Sequence, residues 1–385
     1  MEGEADLMEV KIRYYFGKNY QYKTILALLE KFHDITISKR TLLNKLKDYG
    51  LCRLRNVIDQ DRLRECIQQE LDGSGQLLGY RAMWRRLQSK YAMQVPRLAV
   101  QTLLREMDPE GSRLRRAKRL RRRNYLNPGP NYCWHADGYD KLKPYGFPIH
   151  GCIDGFSRRI LWLEIVRSNN DPNVVGNIFL NCVNDLQFCP TVLRTDRGTE
   201  NGIMATIQCF LRRNHPDSLS EVKAHRYGSS HSNQRIEAWW AMLRKSWSSW
   251  WMTFFKDLVA RGVLDTSNQL HLQCLCFCFT GIMKQALHEI KESWNCHYVR
   301  KSRYHTPAGI PDQLFILPES VGASDYKNMY DEGDFQEAEH SINLPVENNC
   351  VYQDYFSYSA GVLELESPQN WREALTMYER LIEVA

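Results

Sequence analysis

The chain opens with short helical patterns. Residues 22–30, YKTILALLE, place apolar side chains on one helical face. A break follows at 33–37, and Ser38 then heads a second helix over 39–49, with Leu42, Leu43 and Leu46 inward and Gly50 as its stop. A short turn between a helix and a capped basic helix is the helix-turn-helix pattern. Residues 57–110 repeat the theme in kind, with helices predicted over 61–71, from Gly79-Tyr80-Arg81 through Leu87, and over 97–107 behind Pro96.

The pattern changes after Asn127-Pro-Gly-Pro130, which breaks regular structure. Strand-like stretches are expected at 132–140, 147–153 and 159–166, with a Pro-Tyr-Gly turn at 144–146. A helix over 172–188 follows, then a short buried strand at 191–195, a further strand at 222–227 and a long helix starting near Asn233. That order predicts an α/β fold, a mixed sheet flanked by helices, preceded by an all-α helix-turn-helix-like region. From about 311 the chain is acidic and weakly patterned, apart from a last helix over 370–384 introduced by Ser367-Pro368. The expected organisation is a helix-turn-helix-like DNA-binding region (1–56), a second helical region with a basic linker (57–126), a catalytic core (127–310) and an acidic C-terminal tail (311–385).

Charge sharpens this picture. Residues 1–126 hold 27 Lys and Arg against 15 Asp and Glu, and residues 311–385 hold 3 against 15. A basic front half points to a polyanion partner. In the second helix Lys39, Arg40, Asn44, Lys45 and Lys47 are types that meet phosphates and base edges in a major groove. The segment 113–123, which contains Arg121, Arg122 and Arg123, carries eight basic residues in eleven, suited to phosphate contact or nuclear import.

No run of eighteen apolar residues exists, so no membrane partner is expected. The acidic start, MEGEADLMEV, lacks the regions of a signal peptide. The expected location is therefore the nucleus in a eukaryote and otherwise the cytoplasm, not the secreted space. The twelve cysteines form no C-x-x-C pair, and Cys274, Cys276 and Cys278 read as buried, reduced thiols.

Three acidic residues stand out by context: Asp137 in Trp134-His-Ala-Asp137, Asp196 in Thr195-Asp-Arg-Gly-Thr-Glu-Asn201, and Glu237 in Ser232-Asn-Gln-Arg-Ile-Glu237. Two lie on or just past strands and the third in the first turn of the long helix. Such carboxylates suit Mg²⁺ or Mn²⁺, hard ions that prefer oxygen and serve phosphoryl transfer in pairs.

These motifs resemble the catalytic core of retroviral integrases and of the related bacterial insertion-sequence transposases. The likeness rests on W-x-x-D at 134–137, D-x-G-x-E-N at 196–201, and the S-N-x-x-x-E approach to Glu237, 41 positions after Asp196. Parallels continue in Ile153-Asp154-Gly155-Phe156-Ser157-Arg158, and in Trp294-Asn295 through Arg300 to Thr306-Pro307. It spans about 180 residues.

The resemblance implies a ribonuclease-H-like fold and a metal-dependent DNA strand-transfer enzyme, with Asp137, Asp196 and Glu237 as catalytic metal ligands. It implies that Gly198 and Asn201 shape the loop after the second ligand, that Arg244 and Lys245 meet DNA phosphate, and that the protein is a homo-oligomer. Asp154 competes as a ligand, although its D-G-F-S setting suggests a turn role. The aromatic run Trp239, Trp240, Trp247, Trp250, Trp251, Phe254 and Phe255 reads as core or dimer packing, with base stacking as the other reading. The His-His-Cys-Cys zinc domain of retroviral integrases is missing, since residues 1–126 offer only His33, Cys52 and Cys66, so no zinc is predicted. A DNA-binding protein that kept the fold without catalysis, and a nuclease that cuts without joining, stand as alternatives.

Overall fold

The computed structural model describes residues 2–18, 20–51, 59–91, 93, 95–109, 127–228, 233–301, 307–342 and 351–385. The basic segment 113–123, with Arg121, Arg122 and Arg123, lies outside these residues, as do Ser232 and Thr306.

The front half is helical. Helices α1 (Glu2–Gly17), α2 (Tyr22–His33) and α3 (Lys39–Asp48) share an apolar centre of Ile12, Ile25, Leu28, Leu29, Leu42 and Leu46. Ser38 caps α3 as expected, its hydroxyl accepting from the Thr41 amide at 3.0 Å. Leu43, expected inward, is exposed, because the residues packed on α2 are Leu42 and Leu46, four apart on one face. Helices α4 (Gln60–Leu71), α5 (Tyr80–Tyr91) and α6 (Arg97–Met107) enclose a separate cluster around Ile67, Met83, Leu87 and Val100.

The centre of the molecule is a five-stranded mixed sheet. Strands β1 (Cys133–Tyr139), β2 (Ile149–Asp154) and β3 (Ile160–Ile165) form an antiparallel meander, and β4 (Val192–Thr195) and β5 (His225–Tyr227) run parallel to β1 in the order β3-β2-β1-β4-β5. This mixed α/β arrangement agrees with the expected fold class. β5 is shorter than expected, since Glu221–Ala224 form a 3₁₀ turn.

Helices cover both faces. On one side α7 (Pro172–Leu186) and α8 (Gly202–Leu211) pack on Trp134, Ala136, Cys152 and Trp162. On the other, α9 (Gln234–Leu243), α10 (Ser249–Ala260) and α11 (Gln269–Asn295) pack on Tyr139, Ile149, Ile153 and Leu163. With period 2, Asp137 shares the second face with Tyr139 and is turned toward α9. The long helix expected from Asn233 is interrupted: Arg244–Ser248 form a π-helical turn between α9 and α10. The edge strand β3 is closed by α11, whose Asn295 carboxamide accepts from the Ile160 amide at 2.8 Å and donates to the Ile160 carbonyl at 2.9 Å.

The segment expected as a weakly patterned tail folds onto this body. After α12 (Pro311–Ile316) and α13 (Glu332–His340), helices α14 (Val351–Val362) and α15 (Trp371–Glu383) bury Phe356, Ala374, Tyr378 and Leu381 in the core beside α11. The acidic residues of α14 and α15 lie on the outward face, which is why charge alone conceals the packing, whereas Asp312 of α12 and Asp334 of α13 are buried. Among the described residues no helix is long and apolar enough to cross a membrane.

Candidate active site

Asp137 sits near the end of β1, opposite Gly151 of β2. Its Oδ2 accepts the indole N–H of Trp240 at 3.0 Å. Trp240 reaches it because Gly151 has no side chain: a Cβ there would lie 2.7 Å from the Trp240 ring. Burial pushes the Asp137 carboxyl up to about 7; the Trp240 hydrogen bond opposes the rise, and the charges of Glu237 and Asp196 add to it. Glu237 and Asp196 therefore both act on Asp137 through space.

Asp196 follows directly on β4. The parallel pairing of β1 with β4 ends at His135↔Arg194, two residues before Asp137 on the one side and Asp196 on the other. Oδ1 of Asp196 accepts from the Gly198 amide at 3.1 Å and the Asn201 side-chain amide at 2.8 Å. The loop closes tightly, since a Cβ at Gly198 would run into the Glu200 carboxylate.

Glu237 lies in the first turn of α9 and is exposed. What aims this helix is Asn233. Fully buried, it accepts at Oδ1 in a 2.7 Å hydrogen bond with the His135 ring and donates from Nδ2 to the Ala136 carbonyl at 2.9 Å. The start of α9 is thereby pinned to β1 one residue before Asp137. Burial, outweighing the bond to Asn233, drives the His135 ring down to about 3, so it is neutral at ordinary pH. Further on, Tyr139 of β1 and Ser248 of the π turn share a 2.6 Å hydroxyl hydrogen bond. Arg244 and Lys245 open that turn and are both exposed.

Asp154 has a different setting. It is fully buried and accepts from the amides of Asn131, Phe156 and Ser157 and from the Ser157 hydroxyl, at 2.7–3.1 Å. Its oxygens close the β2–β3 turn.

Lys39, Arg40 and Asn44 are exposed on α3 and Lys45 is half-buried, on a helix whose apolar side packs with α1 and α2 rather than with the carboxylates. Two participants escaped the sequence reading. Trp240 is core packing as expected, and it also binds Asp137, a role that an aromatic run adjoining an acidic helix turn signals. Asn233 was quoted in a motif, but its grip on β1 spans 97 positions.

Among the described residues no group of three or more His, Cys, Asp or Glu is gathered closely enough to hold a metal ion by itself. Mg²⁺ and Mn²⁺ are ordinarily held by one or two carboxylates, with water and phosphate oxygen completing the shell. A buried carboxyl raised to about 7 beside two further acids is a donor set that a hard divalent cation fits, because it would relieve the repulsion.

A family model described as integrase core domain matches residues 124–318, just over half of the chain. No curated protein matches it.

Proposed function

Because this chain belongs to the integrase core domain family, we propose that it nicks and joins DNA strands by polynucleotidyl transfer at Asp137, Asp196 and Glu237. These three carboxylates are the catalytic residues in this reading and hold Mg²⁺ or Mn²⁺. The observation that supports it most is the buried, raised carboxyl of Asp137, on which both Glu237 and Asp196 act.

A divalent cation bound there supplies positive charge to the attacking and leaving oxygens of an in-line displacement at phosphorus. In nicking, water adds to the phosphorus, the bond to the 3′-oxygen breaks and that oxygen leaves protonated. In joining, the freed 3′-hydroxyl attacks a phosphodiester of a second duplex, so one P–O bond forms as one breaks. The protein's part is positioning. Asn233 fixes the origin of α9 against β1, Trp240 holds one oxygen of Asp137, and Asn201 with the Gly198 amide holds one oxygen of Asp196.

DNA contact is assigned in the same proposal to Lys39, Arg40, Asn44 and Lys45 of the helix-turn-helix-like region, to Arg121, Arg122 and Arg123 of the linker, and to Arg244 and Lys245. A homo-oligomer would present two catalytic sites to paired DNA ends.

The experiment is a nicking and joining assay on labelled duplex with Mg²⁺ or Mn²⁺. Asp137→Asn is expected to abolish product while leaving duplex affinity within about twofold, since one ligand charge is lost and the proposed DNA contacts are untouched. Joining by the Asn variant at the parent rate would remove Asp137 from the site.

A further inference from the structure

Helix α5 carries basic residues on two faces, and they are treated differently. On one face Arg86 and Lys90 converge on the buried Glu70, at 3.0 and 3.1 Å, where the Tyr91 hydroxyl also donates at 2.8 Å. Both cations of that face are paired with this one carboxylate and serve structure. About a quarter-turn away, Arg81 and Arg85 stand four residues apart on the same face. Arg97, the first residue of α6, joins them with its guanidinium over the Trp84 ring at 4.3 Å. Trp84 is itself fixed by donating to the Val95 carbonyl at 2.6 Å. Arg81 is braced by Tyr80, whose hydroxyl accepts from its Nε at 3.0 Å.

Among the described residues, no carboxylate forms an ion pair with Arg81, Arg85 or Arg97. The arrangement opposes its own stability in two ways. Three cations repel at close range, and burial, with Arg97 and Arg81 adding, pulls the Arg85 guanidinium down to about 10, still cationic at neutral pH. Arg97 also stands at the N-terminal end of α6, where the helix dipole disfavours positive charge, and Pro96 provides no side-chain cap. A bound anion relieves both.

The position of the cluster says which anion. Arg85 acts electrostatically on His297, two residues beyond α11 and hence on the catalytic body. Burial keeps that ring neutral, and α5 packs against α11, so the arginines stand beside the catalytic body, where the polyanion of the proposed reaction is DNA.

We propose that Arg81, Arg85 and Arg97 form a phosphate-binding site for the backbone of the DNA duplex whose strand is presented to the carboxylate site. The inference rests on the reading of the protein as a DNA strand transferase and adds a binding site outside the matched residues 124–318.

The test uses the full chain and a fluorescent duplex, titrated from low to moderate salt. Each phosphate contact contributes about −0.9 to the slope of log affinity against log salt. Combined Arg81→Gln, Arg85→Gln and Arg97→Gln is expected to flatten that slope by about 2–3 units and to weaken binding at least tenfold near 0.1 M salt. A charge-matched control, Arg105→Gln with Lys256→Gln and Arg261→Gln, is expected to keep the parent slope. Because Arg85 is half-buried, the double variant Arg81→Gln with Arg97→Gln, both exposed, covers the case of misfolding and should flatten the slope by about 1–2 units. A slope equal to that of the control in both variants overturns the site. So does calorimetry in which inorganic phosphate saturates the parent but not the double variant while the DNA slope stays unchanged, because the site then takes free phosphate. A parent that never nicks DNA, yet loses slope on substitution, would refute the transferase reading and leave the site standing.

Discussion

Trp240 donates its indole N–H to Oδ2 of Asp137 across a glycine, Gly151, that leaves room for the ring. The contact makes a side chain from an aromatic run into a positioning residue for an acidic one, and it has a measurable consequence. A hydrogen bond to a carboxylate favours the charged form. Trp240→Phe removes the donor and should raise the Asp137 carboxyl further above about 7, by roughly 0.5–1 unit given the usual net worth of such a bond. Gly151→Ala, which pushes the ring aside, should move it the same way. Carboxyl NMR titration of metal-free protein reads both; a value unchanged or lowered in both variants would show that the indole does not govern it.

Asp137 also sets a stability prediction. Its folded value of about 7 lies above the ordinary 3.8. Between those pH values the folded protein keeps a proton that the unfolded chain has released, so its contribution to stability falls as pH rises through that window. At pH 8 without metal, Asp137→Asn should therefore melt higher than the parent, by roughly 2–6 °C, and at pH 4 the two should converge. Added Mg²⁺ or Mn²⁺ should raise the parent's melting temperature at pH 8 and leave the variant's nearly unmoved. A variant less stable than the parent at pH 8 would contradict the assignment.

The clamp at Asn233 predicts a separable defect. Asn233→Ala removes the bonds to His135 and Ala136 and leaves buried polar groups on β1 without them. The expected cost is about 1–3 kcal/mol of stability. Strand cleavage should drop more than tenfold while duplex affinity stays near the parent value, because the clamp aims Glu237 rather than the DNA-binding surfaces. Denaturant unfolding and the nicking assay check the two halves, and full activity in a destabilised variant would make Asn233 purely structural.

For the linker, Arg121→Ala, Arg122→Ala and Arg123→Ala together should weaken binding to all DNA sequences alike. The salt slope should flatten by about 2–3 units. Purified triple variant with the parent's affinity and slope would instead assign the segment to nuclear import or to solvation, since import cannot affect a titration.

Much of the architecture was present in the one-dimensional pattern. Strand-like composition over 132–140 and 159–166 located β1 and β3, and Ser38 marked a helix start at which its side chain does accept from a backbone amide, that of Thr41. These are local properties, decided by residues within a turn of one another. The three candidate carboxylates were legible because each sits in a short motif at a strand or helix end.

What only the tertiary structure decided are relations between distant positions. Trp240 and Asp137 are 103 residues apart, and Asn233 meets Ala136 across 97. Sheet register and helix docking create those contacts, and no periodicity encodes them. The acidic stretch after 311 hid its packing for a related reason: composition averages over both faces of a helix, whereas α15 buries Ala374, Met377, Tyr378 and Leu381 along one stripe. The same holds for α5. Its sequence shows a row of cations, and only the position of Glu70 in three dimensions divides them into Arg86 and Lys90, which it pairs, and Arg81 and Arg85, with which it makes no ion pair. A buried carboxylate reaches only the side chains that folding brings within a few ångströms of it.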